Sequence, residues 1–243
     1  MGKKQFLESI KSHIDNSGFH ITLVSAATTP RWAYTIGLKE KYNMELVFAG
    51  GIFYMARDVN SILHQVVGEI VKRDGNYFES IDLEDLGVFS IRHVDHSWAR
   101  RLMLGVYDYY KIEKVNAFQI VPDEDHFTLD VPDMTKSFDT TMEPVWQWFE
   151  KDWDLDVPEN SQVATNIEVL MGTPITELTR WEDDYWEMFS EAGPDVTDEQ
   201  KRIVSIGTIL AIDPTVTPAM QLPLEKGLYR HSKDDEWVKW GWE

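Results

Sequence analysis

Two histidines flank an aspartate in His93-Val94-Asp95-His96, an order in which two imidazoles and a carboxylate could ligate a metal ion. A third ligand from His64 or His126 is not dictated by spacing. The same segment sits where a strand should pass into a helix, and Asp95 or Ser97 is well suited to cap that helix through its side-chain oxygen. A second group, Asp123, Glu124, Asp125 and Asp130, follows a strand. Paired carboxylates can shuttle protons in hydrolysis or hold a divalent cation. This cluster lacks the spacing and the central Gly of an EF-hand loop, and a solvated turn accounts for it. His93, His96 and Asp123 are therefore weak candidates for a metal or acid–base centre, and no catalytic residue, metal or cofactor is expected. Nothing follows the G-x-S-x-G pattern, and Ser25, Ser90 and Ser205 have no His at a suggestive distance. Gly50-Gly51 and Gly87 are too sparse for a phosphate-binding loop. Cys is absent, which excludes thiol catalysis and thiolate-bound zinc. Arg100-Arg101 beside Trp98 could touch a phosphate, but an exposed helix face explains them as well.

The chemistry that remains is recognition. Residues 181–194 read WEDDYWEMFSEAGP, with five carboxylates and four aromatic rings. From Tyr185 to Ser190 the residues alternate. Tyr185, Glu187 and Phe189 point one way, and Trp186, Met188 and Ser190 the other, the period of a strand with one wet face. Asp183-Asp184 suits the turn before it, and Gly193-Pro194 ends it. A core strand with a solvated side would show the same alternation. If the strand is instead a binding edge, Asp183, Asp184, Trp186, Glu187 and Glu191 are the expected contacts. Trp would then be the anchor, and the acids would set the encounter rate.

Charge narrows the partner. The 243-residue chain carries a net charge of −19. Residues 1–150 hold 22 acids against 15 bases, and residues 151–243 hold 20 against 8. Such a field disfavours nucleic acid and anionic membrane and attracts basic proteins. With 10 Trp, 11 Phe and 9 Tyr there is ample material for a core. No apolar run approaches the roughly 18 residues of a membrane span. The start, MGKKQFLESIKS, has no apolar core of a signal peptide. A cytoplasmic location is expected.

These residues must be positioned by an α+β chain of two small domains, each a mostly antiparallel sheet with helices packed on it. The expected limits are 1–135 for the first domain, 136–160 for a helical and acidic linker, and 161–243 for a strand-rich second domain. Residues 3–15 have helical spacing. Phe19–Val24 and Trp32–Leu38 read as a hairpin, and Glu45–Ala49 as a third strand. Met55, Val59, Ile62, Leu63, Val66, Val67, Ile70 and Val71 form one apolar helical stripe. A strand over Gly87–Val94, a helix over Ser97–Tyr110 and a strand over Val115–Val121 follow. Thr140–Trp153 is expected as a helix. Val163–Leu170, Pro174–Arg180, the alternating stretch, Ile203–Ile212 and Gly227–His231 are expected as apolar runs of the second sheet, before a Trp-rich tail from Asp234.

The first domain resembles a bacterial family known as domain of unknown function 4262. The resemblance rests on Gly18-Phe19-His20, on Tyr34-Thr35-Ile36-Gly37-Leu38, on Glu45-Leu46-Val47 running into Gly50, on the long helix, and on Gln119-Ile120-Val121-Pro122-Asp123. It spans about residues 15–135 and implies no activity. The second domain is similar to an immunity-protein type family, domain of unknown function 2185. That similarity runs through Val163-Ala164, Val169-Leu170, Asp183-Asp184-Tyr185-Trp186 with Phe189, Glu191-Ala192-Gly193, Ile209–Pro214 and Tyr229-Arg230. Asp184-Tyr185-Trp186 stands where that family has Ser-Gly-Trp. The similarity implies a cytoplasmic protein that binds and neutralises a cognate bacterial toxin or effector. Two other readings stay open. One is an enzyme using Tyr34, Gly37, His93, His96 or Asp123; the other is an assembly module using the aromatics of Tyr107–Tyr110 and Trp237–Trp242.

Overall fold

The computed structural model describes residues 3–240. The chain forms two compact units. The first comprises the residues up to Ser25, with Arg31–Phe127 and Val131–Asp139; the second comprises Ala26–Pro30, Thr128–Asp130 and the chain from Thr140. Each holds a six-stranded sheet, so the α+β class stands.

In the first unit α1 (Lys3–Ser17) leads into β1 (His20–Val24) and β2 (Trp32–Ile36), then α2 (Lys39–Tyr42), β3 (Glu45–Ala49) and α3 (Ala56–Lys72). After these come β4 (Ser80–Asp82), β5 (Val88–His93), α4 (His96–Leu102), α5 (Leu104–Tyr110) and β6 (Ala117–Pro122). The sheet order is β1-β2-β3-β6-β5-β4, and only the β3–β6 pair is parallel. The stripe on α3 does what its spacing demands. Val59, Ile62, Leu63, Val66, Val67 and Ile70 are buried against Leu46, Phe48, Phe89, Ile91 and Ile120 of the sheet. Asp58 accepts from the Met55 amide at 2.9 Å and closes the helix start.

The helix expected over Ser97–Tyr110 is instead two helices broken at Met103. Two side chains of β2 explain the break. The Trp32 indole donates to the Leu102 carbonyl at 2.8 Å, and the Gly105 amide donates to the Tyr34 hydroxyl at 3.1 Å. Backbone groups that would continue one helix are thus spent on the sheet.

Glu45 is the decisive residue of this unit. It is 0% exposed, and its carboxylate is met from several sides. The Thr35 hydroxyl donates to Oε2 at 2.6 Å, while Oε1 accepts from the amides of Gly37 (2.9 Å) and Lys39 (3.1 Å) and from the Tyr110 hydroxyl (3.2 Å). Thr35 in turn accepts from the Leu46 amide at 2.9 Å. One carboxylate therefore fastens β2, the turn after it, α2, β3 and the end of α5. Gly37 is required at that turn. Its φ is +131°, and a Cβ there would stand 2.8 Å from the Phe19 Cα. Burial pushes the Glu45 carboxyl above its ordinary 4.5, with the hydrogen bonds opposing that rise.

In the second unit β7 (Gln162–Asn166) and α6 (Ile167–Leu170) precede β8 (Glu177–Glu182) and β9 (Tyr185–Phe189). They are followed by β10 (Lys201–Ser205), α7 (Ile206–Ile212), β11 (Lys226–Tyr229) and β12 (Val238–Trp240). The order is β10-β7-β9-β8-β11-β12, parallel only between β7 and β9. Two expected apolar runs each divide into a strand and a helix. Val163–Leu170 becomes β7 with α6, and Ile203–Ile212 becomes β10 with α7, where Ser205 caps the helix by accepting from the Gly207 amide at 3.1 Å. Short apolar runs do not separate strand from buried helix by periodicity. Thr140–Trp153 is not one helix: only Pro144–Phe149 coils, as a 3₁₀ turn. The Trp146 indole is drawn to the Asp130 carbonyl at 3.0 Å and the Trp153 indole to the Val157 carbonyl at 2.7 Å, which bends the chain out of helical register.

The centre of this unit is an ion pair. Arg230 meets Asp213 at 3.0 Å with both side chains almost wholly buried. The guanidinium also donates to the Ile175 carbonyl, the Thr215 hydroxyl and the Lys233 carbonyl at 2.8, 2.9 and 3.0 Å. The Trp237 ring covers it at 4.2 Å. Removing one member of such a pair strands a buried charge.

Glu45→Ala should cost about 3 kcal/mol or more, because it leaves several buried donors unpaired. Glu45→Gln should cost less and should also change the pH response. A carboxyl raised on folding stabilises below its unfolded value and loses that contribution as pH rises through its folded value. The wild type should therefore lose ground to Glu45→Gln as pH rises from about 4.5. Urea midpoints across pH 4–8 check both; a Glu45→Ala midpoint equal to wild type would remove the clamp from the account.

Candidate functional site

The acidic stretch lies on the β8–β9 hairpin, whose turn is Asp183-Asp184. Arg180 faces Trp186, Thr179 faces Glu187, and Glu182 faces Tyr185, with an irregular step between Arg180 and Glu182. That step is a bulge at Trp181, and a bulge re-aims the side chain it carries. Trp181 is 41% exposed, and its indole donates to Glu187 Oε2 at 2.8 Å.

Of the expected contacts, Asp183 and Glu191 are exposed, and Asp184 and Glu187 are half-buried. Asp184 is held by the Asn160 amide group at 2.9 Å. Trp186 corrects the expectation. It is 0% exposed, its indole donates to the Ala219 carbonyl at 3.1 Å, and the Arg180 guanidinium lies over its ring at 4.8 Å. It is a core residue, and in this conformation it presents nothing to a partner. The aromatic ring at the rim is Trp181. Trp186 shares a buried face with Met188, whereas Trp181 is turned out by the bulge, which the alternation of residues 185–190 does not register.

Electrostatics follow from the same geometry. Arg180, the cation of the hairpin, is half-buried and donates to the carbonyls of Leu222 at 3.1 Å and Asp183 at 2.9 Å. Glu182, Asp183, Asp184 and Glu187 remain at the rim, and Glu191 lies at the far end of β9. Burial, and then the charges of Glu187 and Glu182, hold the Tyr185 phenol above its ordinary range. Asn160, Gln162, Glu182, Asp184 and Tyr185 line an open cleft of about 370 Å³ beside the turn. The arrangement can receive a cationic side chain on an aromatic face flanked by carboxylates.

The candidates in the first unit do not converge. His93 packs edge-on against Phe118 at 5.6 Å and His96 against Tyr107 at 6.3 Å, while His64 hydrogen-bonds the Asn60 carbonyl at 2.8 Å. Asp95 caps α4, accepting from the Ser97 amide at 2.8 Å and hydroxyl at 2.6 Å, and those bonds depress its carboxyl below the ordinary range. Asp123 accepts from His126 Nδ1 at 2.6 Å and from the Val88 amide at 2.7 Å. Burial works against its charge, but these bonds outweigh burial and hold the carboxyl low. His126 also stacks on Tyr54, with the rings 5.8 Å apart. Among the described residues no three His, Asp or Glu side chains are placed to hold a metal ion. Tyr34 is buried with its hydroxyl on Gly105, and Gly37 serves the Glu45 clamp. In the aromatic segments Tyr107 is buried and Trp237 covers Arg230, while Trp242 lies outside the described residues. Among the described residues no helix is long and apolar enough to cross a membrane.

Residues 13–127 match a family model described as Domain of unknown function (DUF4262). The matched stretch takes in the whole first sheet, the Glu45 clamp and the Asp123–His126 pair, and it ends before the acidic hairpin. No curated protein and no solved structure matches the chain.

Trp186→Ala should destabilise the protein by about 3–5 kcal/mol through the cavity it leaves, whereas Trp181→Ala should cost under about 1 kcal/mol. Denaturant titrations of the two variants decide it; equal losses would mean that Trp181 is also core.

Proposed function

We propose that this chain is a cytoplasmic bacterial immunity protein, which binds a basic cognate toxin or effector and neutralises it by occluding its active site. The observation that carries the reading is the split of the β8–β9 hairpin. Trp186 is buried beneath the half-buried Arg180, and Trp181 with Glu182, Asp183, Asp184 and Glu187 is left at the turn end of the hairpin. An exposed aromatic anchor ringed by like charges suits recognition of a basic surface, with the acids speeding encounter and the ring resisting dissociation. The net charge of −19 supports the same partner and disfavours nucleic acid and anionic membrane. The neutralising role is what the sequence resemblance of residues 161–238 to the immunity-type family 2185 implies; the family match over residues 13–127 does not extend to that stretch.

The test is retrieval of the tagged protein from its own cells at about 50 and 300 mM salt, alongside a variant carrying Asp183→Lys, Asp184→Lys and Glu187→Lys. The reading expects a stoichiometric basic protein, toxic when expressed alone. It should be retained by the wild type at low salt, weakened at high salt, and lost from the triple variant. A partner held equally by the triple variant, or by a salt-insensitive contact, would place the binding elsewhere.

A further inference from the structure

The helices that cover the first sheet leave part of it open. The α3 helix packs on one face through Phe89, Ile91 and Ile120. On the opposite face α5 lies against β2. Along β4 and β5 that opposite face carries Ser80, Val88, Ser90 and Arg92, and together with Val121 and Phe127 they line a groove of about 480 Å³. That volume is within the range of small-ligand sites.

The groove is apolar along its floor and polar at its ends. Val88 is 43% exposed, and the buried Val121 sits opposite Ser90 in the ladder. Arg92 lies four residues along β5 from Val88, which places the two roughly 13 Å apart at the usual rise of a strand. The Arg92 guanidinium has its Nε on the Ser90 hydroxyl at 3.1 Å, and among the described residues no carboxylate pairs with it. Ser80 faces Ser90 across the β4–β5 ladder and adds a second hydroxyl. The other end carries Asp123, whose oxygens are taken by His126 and the Val88 amide, and the exposed Glu124. A ligand anion is therefore repelled at the Glu124 end and received at the Arg92 end. In a chain of such negative charge, an unpaired guanidinium beside two hydroxyls and an exposed valine is the local exception.

We propose that this groove binds a small amphipathic organic anion, its acidic head on Arg92, Ser90 and Ser80 and its apolar body along Val88, Val121 and Phe127. The site belongs to the first unit and does not depend on the acidic hairpin.

The probe is 8-anilinonaphthalene-1-sulfonate, an aromatic amphipathic anion, with the uncharged N-phenyl-1-naphthylamine as control. Fluorescence titration of the full chain should saturate at one anion per protein. Amide NMR shifts should be confined to Ser80, Val88–Arg92, Val121 and Phe127. Arg92→Gln, a change at an exposed strand position, should weaken the anion about tenfold, as expected for loss of one charge-assisted hydrogen bond. It should leave the uncharged control unchanged. Equal anion affinity in Arg92→Gln, shifts centred outside the groove, or an absence of saturable binding would each overturn the proposal.

Discussion

A carboxylate with no access to water must be satisfied by the protein or give up its charge. Glu45 sets that demand at the centre of the first unit, and much of the local architecture answers it. Thr35 has to lie on β2 opposite its Oε2, and Gly37 has to turn the chain so that its own amide and that of Lys39 at the start of α2 reach Oε1. Tyr110 has to close the last side from α5. The short segments Tyr34–Leu38 and Glu45–Val47 thereby acquire a common cause. They are two halves of one hydrogen-bonded clamp, and neither half needs a catalytic role to explain its residues. The same logic accounts for the divided α4–α5 helix, since Tyr34 and Trp32 of the adjoining strand claim the backbone groups that would have carried it through.

The second unit solves a related problem with the opposite charge. Arg230 is neutralised by Asp213 and covered by Trp237, Arg180 is stacked on Trp186, and Arg202 is buried with its guanidinium on the carbonyls of Glu199 and Lys201. Two of the eight bases in residues 151–243, Arg202 and Arg230, are thus buried, and Arg180 is half-buried. The surface left behind is more acidic than the formal charge suggests. The polarity of the hairpin rim is a consequence of how this core is held together. Cations packed on aromatic rings and carbonyls inside leave carboxylates outside.

Several features were legible in the residues because one local rule dominated. The stripe on α3 could be served only by a helix, Glu45–Ala49 only by a strand, and Asp183-Asp184 by a turn between strands. Asp95 was recognisable as a helix cap because its neighbours left it little else to do. Other features depended on partners distant in sequence. The break at Met103 required Trp32 and Tyr34, about 70 residues away. Ile203–Ile212 is mostly apolar, and a single serine, Ser205, is the only mark of its change from strand to helix. The choice between Trp181 and Trp186 was decided by a bulge and by the placement of Arg180, neither of which alternation can register. Glu45 itself looked like one acid among many. Only the structure places four donors around it.

The central claim is that the outward face of the β8–β9 hairpin is the contact surface for a basic protein. Hydrogen exchange of the captured complex, compared with the free chain, tests it most directly. The account predicts new protection of the amides from Trp181 to Glu187 and at Asn160–Gln162, and little change in β7 beyond Gln162. Protection confined to residues 13–127, with the hairpin exchanging as freely as before, would contradict it.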